Sequence, residues 1–221
     1  MTATATWLAA LATVATLLFY ETMVLLVQRR QPQRLARSAH ASLREDWFAA
    51  VSSHPGSEIL AVQTLRNSLM SATMTASTAV LGLMGTVTLA APSLRSSLGD
   101  GGAGGLAFTP RLALEMMLML LLFASLVCSA MAVRYYNHAS FICAMPVGSA
   151  ARQRWSASGT AYVRRAGLLY SWGLRHLVLV APIVVFLVHP FAAPVAAVAV
   201  VLVLRSFDRV SSASAASPND S

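Results

Sequence analysis

The sequence contains no lysine, and its 16 basic residues are all arginines. This absence excludes a P-loop, which needs a lysine on the nucleotide phosphates, and any enzyme that forms a Schiff base through lysine. Charged residues of either sign are also scarce, at 11% of the 221 residues, whereas soluble domains carry about a quarter. A chain that is 57% apolar and so poor in charge is typical of an integral membrane protein, and the lipid bilayer is its expected environment.

Cysteine is nearly absent as well, with Cys128 inside an apolar stretch and Cys143 beyond it. Two cysteines without histidines at matched spacing predict neither a structural disulfide nor a metal site, and no two histidines are placed to ligate haem. No catalytic or phosphate-binding motif occurs, so we expect no cofactor, no metal and no enzymatic activity. The arginines flank apolar runs instead of covering a soluble face, so nucleic acid is not an expected partner.

Apolar stretches of membrane-spanning length recur along the chain. Trp7 to Val27 has no basic residue before it and no cleavage site after it, which indicates a permanent span and not a signal peptide. We expect an all-α fold, a polytopic transmembrane helical bundle that forms one domain over 1–210 and is followed by a disordered tail at 211–221. The predicted spans are about 7–27, 67–91, 112–133, 174–188 and 191–205.

The last two stretches are ambiguous. Each is short for a span, yet together they are too long for one straight helix. His189-Pro190 and Pro194 lie between them and favour a tight turn. We therefore expect five spans, with four as the alternative.

Charge asymmetry supports five spans and sets the orientation. With five spans, every arginine except Arg95 and Arg111 falls on one side, which the positive-inside rule makes cytoplasmic. The N-terminus is then outside, the C-terminus is cytoplasmic, and the bacterial inner membrane is the expected location. Arg111 and Glu115, four residues apart near the outer interface, predict a solvated local ion pair.

Several segments predict helical extensions on the cytoplasmic side. Ser57 and Glu58 start a helix that runs to about residue 91, and the fourth helix begins near Ala157. A short amphipathic helix in the first loop lies either at the membrane interface or against the base of the bundle. Its apolar face is Leu43, Trp47, Phe48 and Val51. The extensions form a basic platform for which anionic lipid is a candidate partner.

The second span carries small and hydroxylated residues at intervals that place them on one helical face. We call this set the hydroxyl row: Ser71, Thr75, Thr78, Gly82 and Gly85. Asn67 and Thr86 lie at the two ends of this span. Such a face either packs closely against another helix or lines a pore in which hydroxyls replace part of a hydration shell. Both interpretations turn the row away from lipid.

Glu21 is an ionisable residue within the first span, about 9 Å from its inner end. Hydrocarbon penalises an unpaired carboxylate, so a partner is expected. Arg175, which precedes His176, lies at the same depth, and Arg66 and Asn67 could also reach Glu21 from the second span. The group is either a structural ion pair or a charged gate on a permeation path.

Several sequence blocks stand out between Glu21 and Asp208. The most specific is Gln63-Thr64-Leu65-Arg66-Asn67-Ser68-Leu69-Met70, followed by Ala76-Ser77-Thr78. The others are Arg134-Tyr135-Tyr136-Asn137-His138, Gly173-Leu174-Arg175 before Pro182, and Leu204-Arg205-Ser206-Phe207-Asp208. Over nearly the whole chain, these blocks resemble an uncharacterised membrane-protein family of bacteria and plants, catalogued as domain of unknown function 599. The resemblance implies an integral membrane protein with several spans, and it implies no substrate and no catalytic site.

From these features we expect a homo-oligomeric membrane channel or transporter for an ion, with an anion favoured by the basic cytoplasmic side, or for a small solute. Helices of this length bury little among themselves, so a homo-oligomer is expected. The alternative is a non-transporting membrane scaffold or accessory subunit that binds a partner or anionic lipid. The candidate pore or polar-interface residues are Glu21, Arg66, Asn67, Ser71, Thr75, Thr78, Gly82, Arg175 and His176.

Overall fold

The computed structural model describes residues 3–30, 36–99 and 108–208, and over these residues the chain is helical and contains no strand. The elements are α1 (Ala3–Arg30), α2 (Ala36–Ser53), α3 (Glu58–Gly99), α4 (Pro110–Ala144), α5 (Ala150–Val188), a short 3-10 helix (Pro190–Ala192) and α6 (Ala193–Asp208). In this part of the chain all but α2 supply segments long and apolar enough to cross a membrane, with the 3-10 helix continuing into α6. The expected all-α transmembrane bundle is confirmed. The predicted tail at 211–221 lies outside the described residues.

Helix α4 lies at the centre of the bundle. It packs along α3 on one side and along α5 on the other, whereas α3 and α5 contact each other little. Helices α1 and α6 pack against each other and against α5, and α2 packs on α5. We call the end that carries α2 and the α4–α5 connection the α2 end. The opposite end, where Trp7 of α1 stacks on Phe108 before α4, is the far end.

The turn between the last two apolar stretches is present. His189 ends α5 in an extended conformation, with its backbone N–H donated to the Val185 carbonyl at 2.8 Å. Proline then starts the 3-10 turn, where its missing donor costs nothing. The five-span prediction is therefore confirmed and the four-span alternative is wrong.

The helices are longer than the sequence predicts. Helix α3 continues through Pro92 to Gly99, because one proline removes a single backbone donor and neighbouring turns hold the helix. Helix α4 runs to Ala144, beyond the predicted end of its span near residue 133. Helix α5 begins at Ala150 and not near Ala157, because the Ser149 hydroxyl caps it by accepting from the Arg152 N–H.

Helix α2 is docked on the bundle. Phe48 is 1% exposed, and a Cβ at Gly159 of α5 would collide with its ring. The glycine therefore provides the space into which the ring packs. Val51 is buried too, whereas Leu43, which belongs to the same predicted apolar face, is 63% exposed. Leu43 lies about 140° around the helix from Phe48, which turns it away from α5.

The core of a single chain is thin. One cluster at the α2 end surrounds Phe48, and another toward the far end surrounds Leu118 and Ile183. Large apolar side chains nevertheless remain exposed on every spanning helix, among them Leu18, Met74 and Leu120. Such surface is stable only against acyl chains or against other protein, as the membrane assignment requires.

Candidate functional site

Arg175 of α5 lies between two carboxylates from two other helices. Its Nε donates to Glu21 Oε1 of α1 at 2.6 Å, and its Nη1 donates to Asp208 Oδ2 of α6 at 2.7 Å. The arginine side chain is 3% exposed, and the carboxylate side chains are 18% and 20% exposed. The expected pairing of Glu21 with Arg175 is therefore present, and it joins α1, α5 and α6.

Tyr20 completes this ionic cluster. Its hydroxyl donates to the same Asp208 Oδ2 at 2.7 Å, and its ring centroid lies 4.9 Å from the Arg175 guanidinium carbon, within cation–π distance. Arg175 Nη2 is buried and has no hydrogen-bond partner among the described residues. One guanidinium thus faces two carboxylates and an aromatic ring, which leaves one excess negative charge when all groups are ionised.

A close approach of α5 to α4 aims Arg175 at its partners. The Ser125 hydroxyl of α4 donates to the Gly173 carbonyl at 2.7 Å, and a Cβ at Gly173 would lie 2.5 Å from Ser129 Oγ. Gly173 therefore lies on the face of α5 that packs against α4. Arg175 is two residues later, about 200° around the helix, and so it projects from the opposite side toward α1 and α6.

The remaining candidates for a partner of Glu21 lie elsewhere. Arg66 and Asn67 are exposed on α3, which packs on α4, so they are not part of the cluster. His176 stacks on Trp172 with 5.8 Å between the ring centroids. Sequence reasoning missed Asp208, although it is the acidic residue at the end of the last apolar stretch.

The hydroxyl row lies at the edge of the α3–α4 contact. Thr75 is buried against α4, and a Cβ at Gly82 would lie 3.0 Å from Leu122 Cδ2, whereas Ser71 and Thr78 are exposed. Each hydroxyl donates to the carbonyl four residues earlier in its own helix, at 3.0 to 3.1 Å. Part of the row is therefore packed as expected, and the other part is open in a single chain.

Three members of the row, Thr78, Gly82 and Gly85, line a groove between α3 and α5 that is floored by α4 and that we call the α3–α5 groove. It encloses about 520 Å³. Its α3 wall is polar or small except for Leu89: the other residues are Thr78, Gly82, Gly85 and Thr86. Its α5 wall is aliphatic: Leu177, Val180, Val184, Leu187 and Val188. A cavity of about 540 Å³ continues the groove toward the far end past Pro92, and Arg111 lines both parts.

Arg111 is anchored by a carboxylate behind it. Its Nε donates to Glu115 Oε1 at 2.9 Å, and its side chain is 57% exposed while that of Glu115 is fully buried. The prediction of a solvated pair is therefore wrong for Glu115. The second carboxylate oxygen, Oε2, is buried without a hydrogen-bond partner in the described part of the chain. The pair presents its guanidinium to the groove and hides its negative partner in the bundle.

A second buried arginine, Arg152, holds the α2 end together without any carboxylate contact in the described segments. Its Nη1 donates to the carbonyls of Cys143 and Met145 at 2.9 and 2.6 Å, and its Nη2 donates to the Val51 carbonyl at 3.1 Å. These carbonyls lie at the C-terminal ends of α4 and α2, where a cation is favourable. Sequence reasoning counted this arginine only as one of the cytoplasmic charges.

Comparison with known proteins gives a family and no relative of known activity. A family model described as a protein of unknown function, DUF599, matches residues 8–213. This match covers the spanning helices, the ionic cluster and the α3–α5 groove. No curated protein and no solved structure matches the chain.

Proposed function

We propose that this chain, which belongs to the DUF599 family, is a homo-oligomeric membrane channel or transporter for an ion, with an anion favoured, or for a small solute. The observation that carries the proposal is the α3–α5 groove. It runs within the membrane-spanning part of the bundle, one of its walls is hydroxylated, and it is left open by a single chain. Hydroxyl groups beside an aliphatic wall suit a solute that sheds part of its water.

Anion preference follows from the charge in this groove. Arg111 lines both of its parts, and the described residues that line them include no acid. Glu115 neutralises Arg111 from the buried side, but the exposed surface of the pair is the guanidinium. A cation in a partly apolar groove raises the local concentration of anions.

Self-association is the step that closes the path in this proposal. Helix α3 packs mainly on α4 and leaves the rest of its surface open, including Gly85 and the methionines at 70, 74 and 84. Small residues in a membrane helix allow a second helix to approach closely. A helix of another copy laid against this open side would convert the groove into an enclosed channel.

In this proposal the ionic cluster holds α5 in a fixed position relative to α1 and α6. Arg175 ties α5, which forms one wall of the groove, to α1 and α6. Ionisable groups within membrane helices are costly and commonly mark functional positions. Loss of the Glu21 and Asp208 contacts would free α5 to move relative to α3 and so change the width of the groove.

We further propose that the α2 end is cytoplasmic and that the membrane is a bacterial inner membrane. In the described segments the arginines lie at or near the α2 end, except for Arg95 and Arg111, which lie near the far end. The positive-inside rule supports this orientation, with the N-terminus outside.

The test compares two threonines on the same helix. Thr78 lies in the α3–α5 groove and Thr73 lies outside it; both are exposed, and both hydroxyls donate to their own helix at 2.9 to 3.0 Å. Iodide flux into proteoliposomes should fall about fivefold in Thr78→Val and in Arg111→Gln, the factor for about 1 kcal/mol, and stay unchanged in Thr73→Val. Absence of protein-dependent flux, or equal loss in both threonine variants, would overturn the proposal.

One observation favours a non-transporting scaffold or accessory subunit instead. The hydroxyls of Ser71, Thr75 and Thr78 are already satisfied within their own helix, so they need no permeating solute. Under this alternative, the exposed helix faces bind a protein partner or anionic lipid. Co-purification of a stoichiometric partner together with silent proteoliposomes would favour it.

A further inference from the structure

A second groove lies on the other side of α3 from the hydroxyl row. It consists of two adjoining cavities, of about 490 and 520 Å³, that share Ala130 and Val133 of α4. The first is lined on α3 by Thr73, Ala76, Ser77, Val80 and Leu81. The second is lined on α4 by Arg134, Asn137, His138 and Phe141. We call this continuous feature the α3–α4 trough, and the proposed transport path does not use it.

The chemistry of the trough changes along its length. The part nearer the far end is aliphatic or small, and the Thr73 hydroxyl there is already donated to the Leu69 carbonyl at 2.9 Å. The part nearer the α2 end holds a cation, an amide and an imidazole. The change occurs between Val133 and Arg134, where the apolar run of α4 ends. An apolar trough that ends in a cation at the membrane boundary matches the polarity of an anionic lipid, which has apolar acyl chains and a negatively charged headgroup.

No described residue compensates the charge of Arg134 through an ion pair. The Arg134 side chain is exposed. Two acidic side chains at the α2 end have other partners: Glu45 pairs with Arg164, and Glu58 accepts the Val147 N–H. An exposed, uncompensated cation beside an apolar trough attracts a phosphodiester.

Arg66 adds a second cation at the same end. It is seven residues before Thr73 and 11 before Ser77, so the three share one face of α3. It therefore lies about 10 Å beyond Thr73 toward the α2 end. Helices α3 and α4 are antiparallel, with Gly82 against Leu122, and this register places Arg66 level with His138. Arg66 is exposed and, like Arg134, has no ion pair within the described part of the chain.

We propose that the α3–α4 trough binds one anionic phospholipid. Its phosphate lies against Arg134 and Arg66, and an acyl chain runs over Ala130 toward Val80. The His138 ring, which packs on Tyr162 with 5.7 Å between the centroids, forms the side of the headgroup site. The lipid would cover apolar surface between α3 and α4 that the single chain leaves open.

Native mass spectrometry in mild detergent tests this assignment with phosphatidylglycerol and phosphatidylcholine that carry the same acyl chains. Phosphatidylglycerol should bind the first site at least about fivefold more tightly than phosphatidylcholine. Arg134→Gln should weaken its binding about fivefold, and the double variant with Arg66→Gln about 25-fold, as expected for one and two arginines near an anionic headgroup. Arg154→Gln is the matched control, because Arg154 is exposed at the α2 end but does not line the trough.

A second variant tests the acyl-chain part of the proposal. Ala130 is exposed where the two cavities join, so Ala130→Phe should block the trough and weaken both lipids, while Ala130→Ser should not. Equal affinity for the two lipids, an equal loss in Arg154→Gln, or displacement of bound lipid by inorganic phosphate would overturn the proposal. Helical content by circular dichroism and elution volume would verify that each variant is folded, and transport activity does not enter the test.

Discussion

Removal of Arg175 should cost more stability than removal of either of its partners. In Arg175→Met, Glu21 and Asp208 remain near each other in an apolar part of the bundle, and the charge of the cluster changes from one negative excess to two. The variant loses two charge-assisted hydrogen bonds of 2.6 and 2.7 Å, each worth about 1.5–3 kcal/mol. We therefore expect a loss of about 3–5 kcal/mol in the free energy of unfolding, the usual cost of breaking a buried ion pair from one side.

Glu21→Gln should be milder, with a loss of at most about 3 kcal/mol, because the amide oxygen that replaces the carboxylate can still accept from Arg175 Nε and Arg175 stays paired with Asp208. The triple variant Glu21→Leu, Arg175→Met, Asp208→Leu should recover most of the loss, since replacement of buried ionic groups by apolar side chains is often neutral, and the bond from the Tyr20 hydroxyl to Asp208 is the part that it does not recover.

Reversible unfolding in mixed micelles, followed by circular dichroism, measures these differences. The expected order of stability is wild type close to the triple variant, then Glu21→Gln, then Arg175→Met. If Glu21→Gln lowers the free energy of unfolding as much as Arg175→Met does, the excess negative charge does not determine the stability of the cluster. If the triple variant is the least stable, the cluster stabilises the fold in its own right and the reasoning from desolvation is wrong.

Two further predictions concern the α2 end. Gly159→Leu should displace the Phe48 ring, destabilise the protein by about 1–3 kcal/mol and make α2 accessible to protease, whereas Ala157→Leu on the exposed side of α5 should do neither. Arg152→Met removes a donor from three carbonyls, of which that of Val51 still accepts from the Ser57 hydroxyl, and should lower the free energy of unfolding by about 3 kcal/mol, which chemical denaturation would measure. Protection of α2 in Gly159→Leu, or a stable Arg152→Met protein, would contradict the packing argument.

The pairing of Glu21 with Arg175 shows how far sequence reasoning reaches in a membrane bundle. The depth of a residue follows from counting 1.5 Å per residue from the end of its helix, and this count places the two groups at one level. Depth did not distinguish Arg175 from Arg66 and Asn67, because the direction in which a side chain points depends on which helix face is packed. Gly173 against α4 sets that direction for Arg175.

The helix ends show a different limit. Hydropathy falls where a helix leaves the membrane, but the helix itself ends only where its backbone loses partners or gains a cap. Helix α4 therefore continues past Arg134 to Ala144, and Ser149 starts α5 earlier than its apolar pattern suggests.

The sequence by itself determined that the chain is an all-α bundle with five spans, because apolar length and charge are local properties that the bilayer selects directly. It also identified the candidate polar residues, because a charge in hydrocarbon is costly and the few ionisable residues within the apolar spans are therefore easily recognised. Only the tertiary structure decided which of them meet. The contacts between Arg175 and Asp208, between Phe48 and Gly159, and between Arg152 and the Val51 carbonyl join residues far apart in the chain. Such contacts depend on the rotation and separation of packed helices, which no single helix specifies.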